Sequence, residues 1–242
     1  MIEIDGFTKY EADPEKLSVF QKYFREYYND QFYFGQGTEE MLENLNRYAP
    51  YGHWLDLGSG PSTLFWSIPL NGVKSISSCD IAIEALLVLQ DFVRSDLIPN
   101  CYKQVLEMFG KTDRHLAEMR ASFSKYMVFD TMKPWPTELS SERYDLITAF
   151  GNFGLAKKEG YMDCFTYVSE HLIELGKVIG CDWIRNPAFI KQDGHDNSYL
   201  HQSLTVESGE KAGLKILDCR LIDIKDDPLY DAVIVWAMEK AK

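Results

Sequence analysis

Residues 54–66 read WLDLGSGPSTLFW, a short apolar run that contains an acid and continues into Gly-Ser-Gly-Pro. Gly58 and Gly60 have no Cβ, so the backbone can adopt positive φ angles there and come close to a ligand. A helix that begins after this loop would direct its free amide groups at an anionic part of that ligand. By itself the stretch fits either a plain strand-to-helix turn or a ligand-binding loop.

The rest of the chain alternates between strand-like and helix-like patterns. This alternation predicts an α/β fold with a doubly wound, mostly parallel sheet, and two successive strands at the end predict an antiparallel edge. We predict one domain over residues 1–242, with an N-terminal helical cap at 1–50 and a helical insertion at 97–125. The seven predicted strands cover 53–57, 73–79, 126–130, 144–150, 177–184, 215–224 and 231–239.

The composition argues against several classes of partner. The chain carries 25 Lys and Arg against 37 Asp and Glu, a net charge of −12, which disfavours nucleic acid and anionic membranes. Its five cysteines are scattered without metal-ligand spacing, so we expect neither a disulfide framework nor a metal site. The first residues lack the basic and apolar segments of a signal peptide. These features predict a cytoplasmic protein that acts as a monomer or weak homodimer.

The glycine loop has three interpretations: a plain turn, a dinucleotide site and a site for a sulfonium cofactor. A dinucleotide fingerprint needs a third small residue where this chain has Thr63. An acid two positions before the first glycine, here Asp56, followed by an acid closing the next strand, here Asp80, is the pattern of S-adenosylmethionine-dependent methyltransferases. Asp130 closes a third apolar run, where such enzymes hold adenine. These three acids in order favour the sulfonium cofactor.

A more detailed resemblance involves the N-terminal segment. YFREYY at residues 23–28 precedes LDLGSGPST at 55–63, and a long insertion precedes the acid of the third strand. This order resembles the nicotinamide, phenylethanolamine and indolethylamine N-methyltransferases, a family of class I methyltransferases with a Rossmann-like fold. The resemblance extends over nearly the whole chain, although only the tyrosine and Gly-Ser-Gly-Pro elements are specific.

The resemblance implies roles for individual residues. Two tyrosines of the first helix would close over the cofactor, and the glycine loop would hold its methionine part. The acid that closes the second strand would bind the ribose, and the acid that closes the third strand would bind the adenine. The implied cofactor-binding residues are Tyr23, Tyr28, Asp56, Gly58, Ser59, Gly60, Asp80, Phe129, Asp130 and Thr131. The implied acceptor-binding residues are Tyr23, Asp182, Phe189 and Tyr199, with Asp182 orienting the acceptor as the catalytic acid.

These residues predict methyl transfer from S-adenosylmethionine to a small molecule, with an amine or heteroaromatic nitrogen favoured and S-adenosylhomocysteine as the by-product. A second possibility is O-methylation of a small phenol or acid, for which His195 would be a candidate base. A third is a catalytically silent subunit that binds S-adenosylmethionine. A nicotinamide-dependent oxidoreductase has less support, because of Thr63.

Overall fold

A single eight-stranded sheet organises the structure, a computed structural model that describes residues 2–3 and 12–242. The order across the sheet is β1-β4-β3-β2-β5-β6-β8-β7. The strands are β1 (Ile2–Glu3), β2 (His53–Leu57), β3 (Ser75–Asp80), β4 (Phe123–Val128), β5 (Tyr144–Phe150), β6 (Leu172–Arg185), β7 (Leu214–Asp223) and β8 (Tyr230–Lys240).

The predicted seven strands are confirmed as β2 to β8. Strands β4, β3, β2, β5 and β6 run parallel, while β8 lies antiparallel between β6 and β7. The two-residue β1, which has no signal in the sequence, pairs antiparallel with β4 at the edge. The chain moves outward from β2 through β3 to β4 and then returns to β5 on the other side of β2. A crevice therefore opens between the carboxyl ends of β2 and β5, the usual ligand position in such sheets.

Nine α-helices pack on the two faces of the sheet within the described part of the chain. They are α1 (Pro14–Tyr28), α2 (Thr38–Tyr48), α3 (Thr63–Trp66), α4 (Ile83–Arg94), α5 (Asn100–Met108), α6 (Asp113–Ala121), α7 (Lys158–His171), α8 (Pro187–Asp193) and α9 (Gln202–Lys211). Helices α1 and α2 lie in the predicted N-terminal cap, and α5 and α6 in the predicted insertion.

Helices α1 and α2 begin in different ways. Asp13 caps α1: its carboxylate accepts from the amide of Glu15 at 2.9 Å, and Pro14 is the first helical residue. The cap of α2 is Gly37, with φ at 81°. A Cβ at Gly37 would lie 2.4 Å from Cγ1 of Val233, so glycine lets this loop pack directly against β8.

Helix α3, which follows the glycine loop, comprises only Thr63–Trp66. The Ser67 hydroxyl donates to the Leu64 carbonyl at 2.7 Å and satisfies one of the carbonyl groups at the end of the helix. Pro69 has no amide hydrogen with which to continue the helical pattern.

Both faces of the sheet are buried, so alternate residues of one strand enter different cores. On β2, Trp54 packs in the core that also contains residues of α1, α2 and α4, whereas Leu55 and Leu57 pack in the core of α7. On β6, Trp183 packs against the first core while Asp182 points to the opposite face. This alternation decides which β6 side chain can reach each side of the crevice.

The close backbone approach at Gly180, in the middle of the sheet, predicts a stability effect. A Cβ at Gly180 of β6 would lie 2.3 Å from the Ala149 carbonyl oxygen and 2.5 Å from the Trp236 ring. We expect Gly180→Ala to lower the free energy of unfolding by about 1–3 kcal/mol, because backbone and a fully packed ring have little room to move. Urea denaturation measures this change.

Gly160→Ala is the matched control, since Gly160 lies in α7 with open space around its Cβ position. Alanine is the better helix former, so this variant should be neutral or more stable by up to about 1 kcal/mol. Equal destabilisation by both substitutions would contradict the close packing at Gly180.

Candidate functional site

The glycine loop joins β2 to α3 at the crevice. Gly58 and Gly60 adopt φ angles of 58° and 51°, in the left-handed region that favours glycine. The Ser59 amide donates to the Cys79 carbonyl at 2.9 Å, which fastens the loop to the end of β3. A Cβ at Gly58 would lie 2.0 Å from the Asn152 side chain, whereas Gly60 has nothing within 4 Å of that position. The loop is therefore packed on one side and open on the other.

Asp56 supports this loop from behind and does not face the crevice. Its residue is 1% exposed, and its two carboxylate oxygens accept from the hydroxyls of Thr63 and Thr148, each at 2.6 Å. The Thr148 hydroxyl in turn accepts from Nε1 of Trp54 at 2.7 Å. Burial raises the pKa of Asp56 to about 7, although both threonine hydrogen bonds oppose that shift. The structure thus places Asp56 as an anchor of the glycine loop and does not bring it to the cofactor side.

Asp80 lies beside the glycine loop, at the carboxyl end of β3. One carboxylate oxygen accepts from the Gly60 amide at 2.9 Å and the other from the Ala82 amide at 2.8 Å. Burial raises the pKa of this carboxyl, while the backbone amides lower it. The next residue, Ile81, is 64% exposed at the end of the strand. The carboxylate is held in one orientation and keeps lone pairs free for a further donor, as a ribose site requires.

The end of β4 contributes the third part of the site. The Phe129 amide donates to the Asp80 carbonyl at 3.2 Å, which brings these two strand ends together. Asp130 forms an ion pair with Lys133 at 2.9 Å and accepts from the Met132 amide at 3.1 Å. The structure therefore brings Phe129, and Asp130 after it, to the end of β3 where Asp80 lies.

Asn152 connects the third strand end to the glycine loop. Its Oδ1 accepts from the Thr131 hydroxyl at 2.9 Å, and its Nδ2 lies against Gly58. This position was not predicted from the sequence. The signal that could have found it is the polar residue directly after a strand that flanks the switch point.

An aromatic pocket adjoins the glycine loop on the side of α1. We define the aromatic pocket as the cavity of about 160 Å³ bounded by α1, the 29–37 loop, α3, β6 and the β7–β8 turn. Nine of its fifteen lining residues are aromatic. The rings around it include those of Tyr23, Tyr28, Trp66, Trp183 and Tyr230.

The aromatic pocket and the glycine loop share a hydrogen-bonded connection. Nε1 of Trp66 donates to the Ser62 hydroxyl at 3.2 Å, and that hydroxyl donates to the Ser59 carbonyl at 2.9 Å. The side chain of Tyr28 also interacts with Ser62 and with Tyr23. Since Ser62 belongs to the loop, a molecule in the pocket lies next to whatever the loop binds.

Tyr23 and Tyr28 lie on α1 and both line the aromatic pocket. Tyr23 is 40% exposed as a residue, but its hydroxyl is enclosed, and burial raises its pKa to about 12. Burial likewise raises the pKa of Tyr28 well above its ordinary value. Both phenols therefore stay protonated near neutral pH.

Asp182 is not brought to this pocket. Its residue is 0% exposed, and its carboxylate accepts from the Gly154 amide at 2.6 Å, the Tyr161 hydroxyl at 2.8 Å and Nε1 of Trp236 at 3.1 Å. All three donors lie on the α7 side of the sheet. The implied role as the acid that orients the acceptor does not agree with this position, because alternation along β6 sends its neighbour Trp183 to the pocket instead.

The two implied wall residues fall on different sides. Phe189 of α8 packs edge-to-face on Tyr230 at 5.7 Å between ring centroids, and so lies directly behind the aromatic pocket. The Tyr199 hydroxyl donates to the Ala156 carbonyl at 2.7 Å, and its ring packs against Tyr161. Tyr199 thus belongs with Asp182 on the other face of the sheet.

Of the residues that line the pocket, only Tyr23 and Tyr28 were predicted from the sequence; Trp183, Tyr230 and Asp227 are among those that were not. Trp183 also lies where a Cβ at Gly151 would be, 2.7 Å away, so the tip of β5 has glycine where the ring approaches. Tyr230 and Asp227 come from the turn between β7 and β8, far along the chain from α1. No local pattern marks such residues, because only the antiparallel β8 carries that turn to the crevice.

Among residues 2–3 and 12–242, no group of three or more His, Cys, Asp or Glu side chains could hold a metal ion. None of the helices in that same part of the chain has both the length and the apolar character needed to cross a bilayer.

The raised pKa of Asp56 predicts a pH-dependent stability. The folded carboxyl holds its proton up to about pH 7, whereas the ordinary value is 3.8. The contribution of this carboxyl to the free energy of unfolding is therefore fully present below about pH 4. It is lost as the pH rises to about 7 and does not change further above that pH. We expect the stability difference between the wild type and Asp56→Asn to fall by about 2–4 kcal/mol between pH 4 and pH 8. Urea denaturation at several pH values measures it, and a difference that grows with pH would contradict the assignment.

The enclosed position of Asp182 predicts a structural phenotype. Asp182→Asn places an amide group opposite three donors, so the free energy of unfolding should fall by about 1–3 kcal/mol. Binding of S-adenosylhomocysteine, measured by calorimetry, should not change. A variant of unchanged stability with a raised KM for a methyl acceptor would instead support the acceptor role that the resemblance implied.

Known structures share this architecture at low sequence identity. The N-methyltransferase NodS from Bradyrhizobium japonicum, in complex with S-adenosyl-L-homocysteine, is 13% identical over 93% of this chain and 99% of its own, with a TM-score of 0.57. A TehB-like SAM-dependent methyltransferase from Corynebacterium glutamicum is 13% identical over 95% of this chain and 100% of its own, with a TM-score of 0.55. No protein-family model matches the sequence, and no curated protein matches it significantly.

At these identities the likeness concerns the fold. It does not confirm the closer resemblance to nicotinamide, phenylethanolamine and indolethylamine N-methyltransferases, which stays a prediction. The mixed sheet, its strand order and its crevice agree with the Rossmann-like fold of S-adenosylmethionine-dependent methyltransferases.

Proposed function

We propose that this protein transfers a methyl group from S-adenosylmethionine to a small-molecule acceptor, with a nitrogen as the favoured methyl-accepting atom. The observation that carries the proposal is the pairing of Gly60 and Asp80. Gly60 leaves open space at the crevice, and its amide holds the Asp80 carboxylate beside that space. A nucleoside with an extended amino-acid tail needs this combination of close backbone approach and a fixed acceptor for ribose hydroxyls.

The cofactor would extend from the glycine loop towards the ends of β3 and β4. Gly58, Ser59 and Gly60 would line its methionine part and Asp80 its ribose. Phe129, Asp130 and Thr131 would lie along its adenine, with the exposed Ile81 on the same side. Asp56 acts through Thr63 by holding the loop in shape, and it touches no part of the cofactor in this arrangement.

The aromatic pocket is the acceptor site in this proposal. It adjoins the loop through Ser62, so an acceptor there would lie next to the methionine end of the cofactor. When bound, the cofactor supplies a methyl group already activated by its sulfonium. The residues of this chain therefore contribute alignment and exclusion of water more than proton transfer. The packed rings around the pocket serve both purposes.

Three competing functions receive less support. O-methylation of a phenol requires a base near the acceptor, but His195 hydrogen-bonds the Gly154 carbonyl at 3.1 Å on the face that holds Asp182. A dinucleotide-dependent oxidoreductase lacks a small residue at Thr63, whose hydroxyl is used to hold Asp56. A silent subunit that binds the cofactor without catalysis is distinguished only by an assay of methyl transfer.

The remaining expectations are part of the same proposal: a cytoplasmic protein without nucleic-acid or membrane partners, acting as a monomer or weak homodimer. The five cysteines support a reducing compartment, since all are free and four are buried.

Cofactor binding is the first test. S-adenosylhomocysteine should raise the melting temperature and NAD should not. Asp80→Ala should weaken S-adenosylhomocysteine binding by about tenfold to a hundredfold, since it removes an acceptor of charge-assisted hydrogen bonds. Isothermal titration calorimetry measures the dissociation constants. Asp223→Ala, which alters an exposed acid on the edge strand, is the matched control and should bind like the wild type.

Activity is the second readout of the same experiment. Methyl transfer to a panel of amines, phenols and carboxylic acids, detected by mass spectrometry, should yield product with amines. Stabilisation by NAD in place of S-adenosylhomocysteine would contradict the proposal. Tight cofactor binding with no product from any member would instead favour the silent subunit.

A further inference from the structure

The groups that line the aromatic pocket are predominantly of negative electrostatic potential. Besides its aromatic rings it contains one carboxylate, Asp227, and among the described residues that line it there is no Lys, Arg or His. Ring faces carry negative potential, and a carboxylate adds a full negative charge. The pocket therefore offers an electrostatic environment suited to a cation.

Asp227 is held in place at the edge of the pocket. One of its oxygens accepts from the amides of Leu229 and Tyr230, at 2.8 and 3.0 Å, and the other accepts from Nε2 of Gln36 at 3.3 Å. The contact with Gln36 joins the β7–β8 turn to the loop between α1 and α2. Burial raises the pKa values of Tyr27 and Tyr230, and the charge of Asp227 is a smaller contribution in the same direction.

Arg185 is a cation outside the pocket, behind Tyr230. Its charge lowers the pKa of Tyr230, against the larger effect of burial, while its guanidinium pairs with Asp193 and stacks over the Phe189 ring at 4.7 Å. These contacts hold it on the α8 side of Tyr230, behind the pocket wall.

Several polar groups of the pocket already have hydrogen-bond partners, among them the Asp227 carboxylate, which accepts from two amides and from Gln36. The side chains of Tyr23 and Tyr28 interact with each other, and Tyr28 also interacts with Ser62, so these polar ends already have partners. An amine that carries hydrogens gains most from carbonyl or carboxylate acceptors, whereas an alkylated nitrogen gains from ring faces. A volume of about 160 Å³ suits a single ring or a trimethylammonium group.

We propose that the aromatic pocket takes tertiary amines and that methyl transfer there produces quaternary ammonium compounds. This inference rests on the proposed function. The nitrogen lone pair forms the new bond to the methyl carbon, the carbon–sulfur bond breaks, and its electron pair stays on sulfur. The reacting form is the free base, so the proton of the tertiary ammonium passes to solvent before the attack. Positive charge then moves from sulfur to a nitrogen that carries no hydrogen. The rings and Asp227 stabilise this charge where it develops.

Ligand binding tests the cation preference without any turnover. The protein saturated with S-adenosylhomocysteine is titrated calorimetrically with choline and with the neutral tert-butyl isostere of choline, which has the same shape. We expect choline to bind at least about tenfold more tightly, as for a cation in an aromatic pocket. Equal affinity, or tighter binding of the neutral isostere, would overturn the proposal.

Variants separate the role of the rings from a general effect on folding. Tyr230→Leu removes a ring face and should weaken choline binding by about fivefold to tenfold, while Tyr230→Phe keeps the face and should bind within about twofold of the wild type. Asp227→Asn keeps the acceptor for the Leu229 and Tyr230 amides but loses the charge. It should weaken binding of choline and leave binding of the neutral isostere unchanged. Equal loss for both ligands in these variants would indicate a structural role only.

Tyr51→Leu is the matched control for these substitutions. Tyr51 is exposed in the loop before β2, at the amino end of the strand, whereas the crevice lies at the carboxyl end. It should leave choline binding unchanged.

Turnover distinguishes failure of this inference from failure of the proposed function. With S-adenosylmethionine, dimethylaminoethanol and dimethylbenzylamine are compared with the primary and secondary amines of the same skeletons. The tertiary amines should have the higher kcat/KM. Product from primary or secondary amines alone would overturn the inference and leave the methyltransferase proposal intact. Absence of S-adenosylhomocysteine binding would remove both.

Discussion

The buried carboxylate of Asp56 is the interaction on which the site depends. It joins three elements at the switch point, because it lies on β2 and accepts from Thr63 of α3 and Thr148 of β5. A carboxyl group in such a place is costly unless its oxygens are satisfied, and here each receives a short hydrogen bond. The result is a fixed starting point for the glycine loop, from which Gly60 presents an open backbone to the crevice.

From that loop, hydrogen bonds extend in two directions. Towards β3 and β4 they run through the Gly60 amide to Asp80 and from the Asp80 carbonyl to Phe129. Towards α1 they run through Ser62 to Trp66 and Tyr28. The first direction forms the proposed cofactor side and the second the aromatic pocket. Because both begin at the same loop, cofactor and acceptor would be aligned by a single rigid element.

Burial gives the acids of β2 and β6 a structural role. Asp56 and Asp182 both lie on strands next to the crevice, and both have their pKa raised by burial, to about 7 and about 6. Each is enclosed by donors from its own side of the sheet. They hold backbone and side chains in position, while the acid that does line the pocket, Asp227, comes from a turn near the end of the chain.

The sequence by itself determined the sheet and most of the proposed cofactor side. Gly58, Gly60, Asp80 and Asp130 could be found because they follow apolar runs at the ends of parallel strands, and such ends meet at one edge by topology alone. The tertiary structure alone decided the proposed acceptor side. Whether Asp182 or Trp183 faces the pocket depends on the alternation of β6 between two buried faces, and both faces have apolar patterns. Tyr230 and Asp227 reach the pocket only because β8 inserts antiparallel beside β6, a pairing between distant segments that no local pattern specifies.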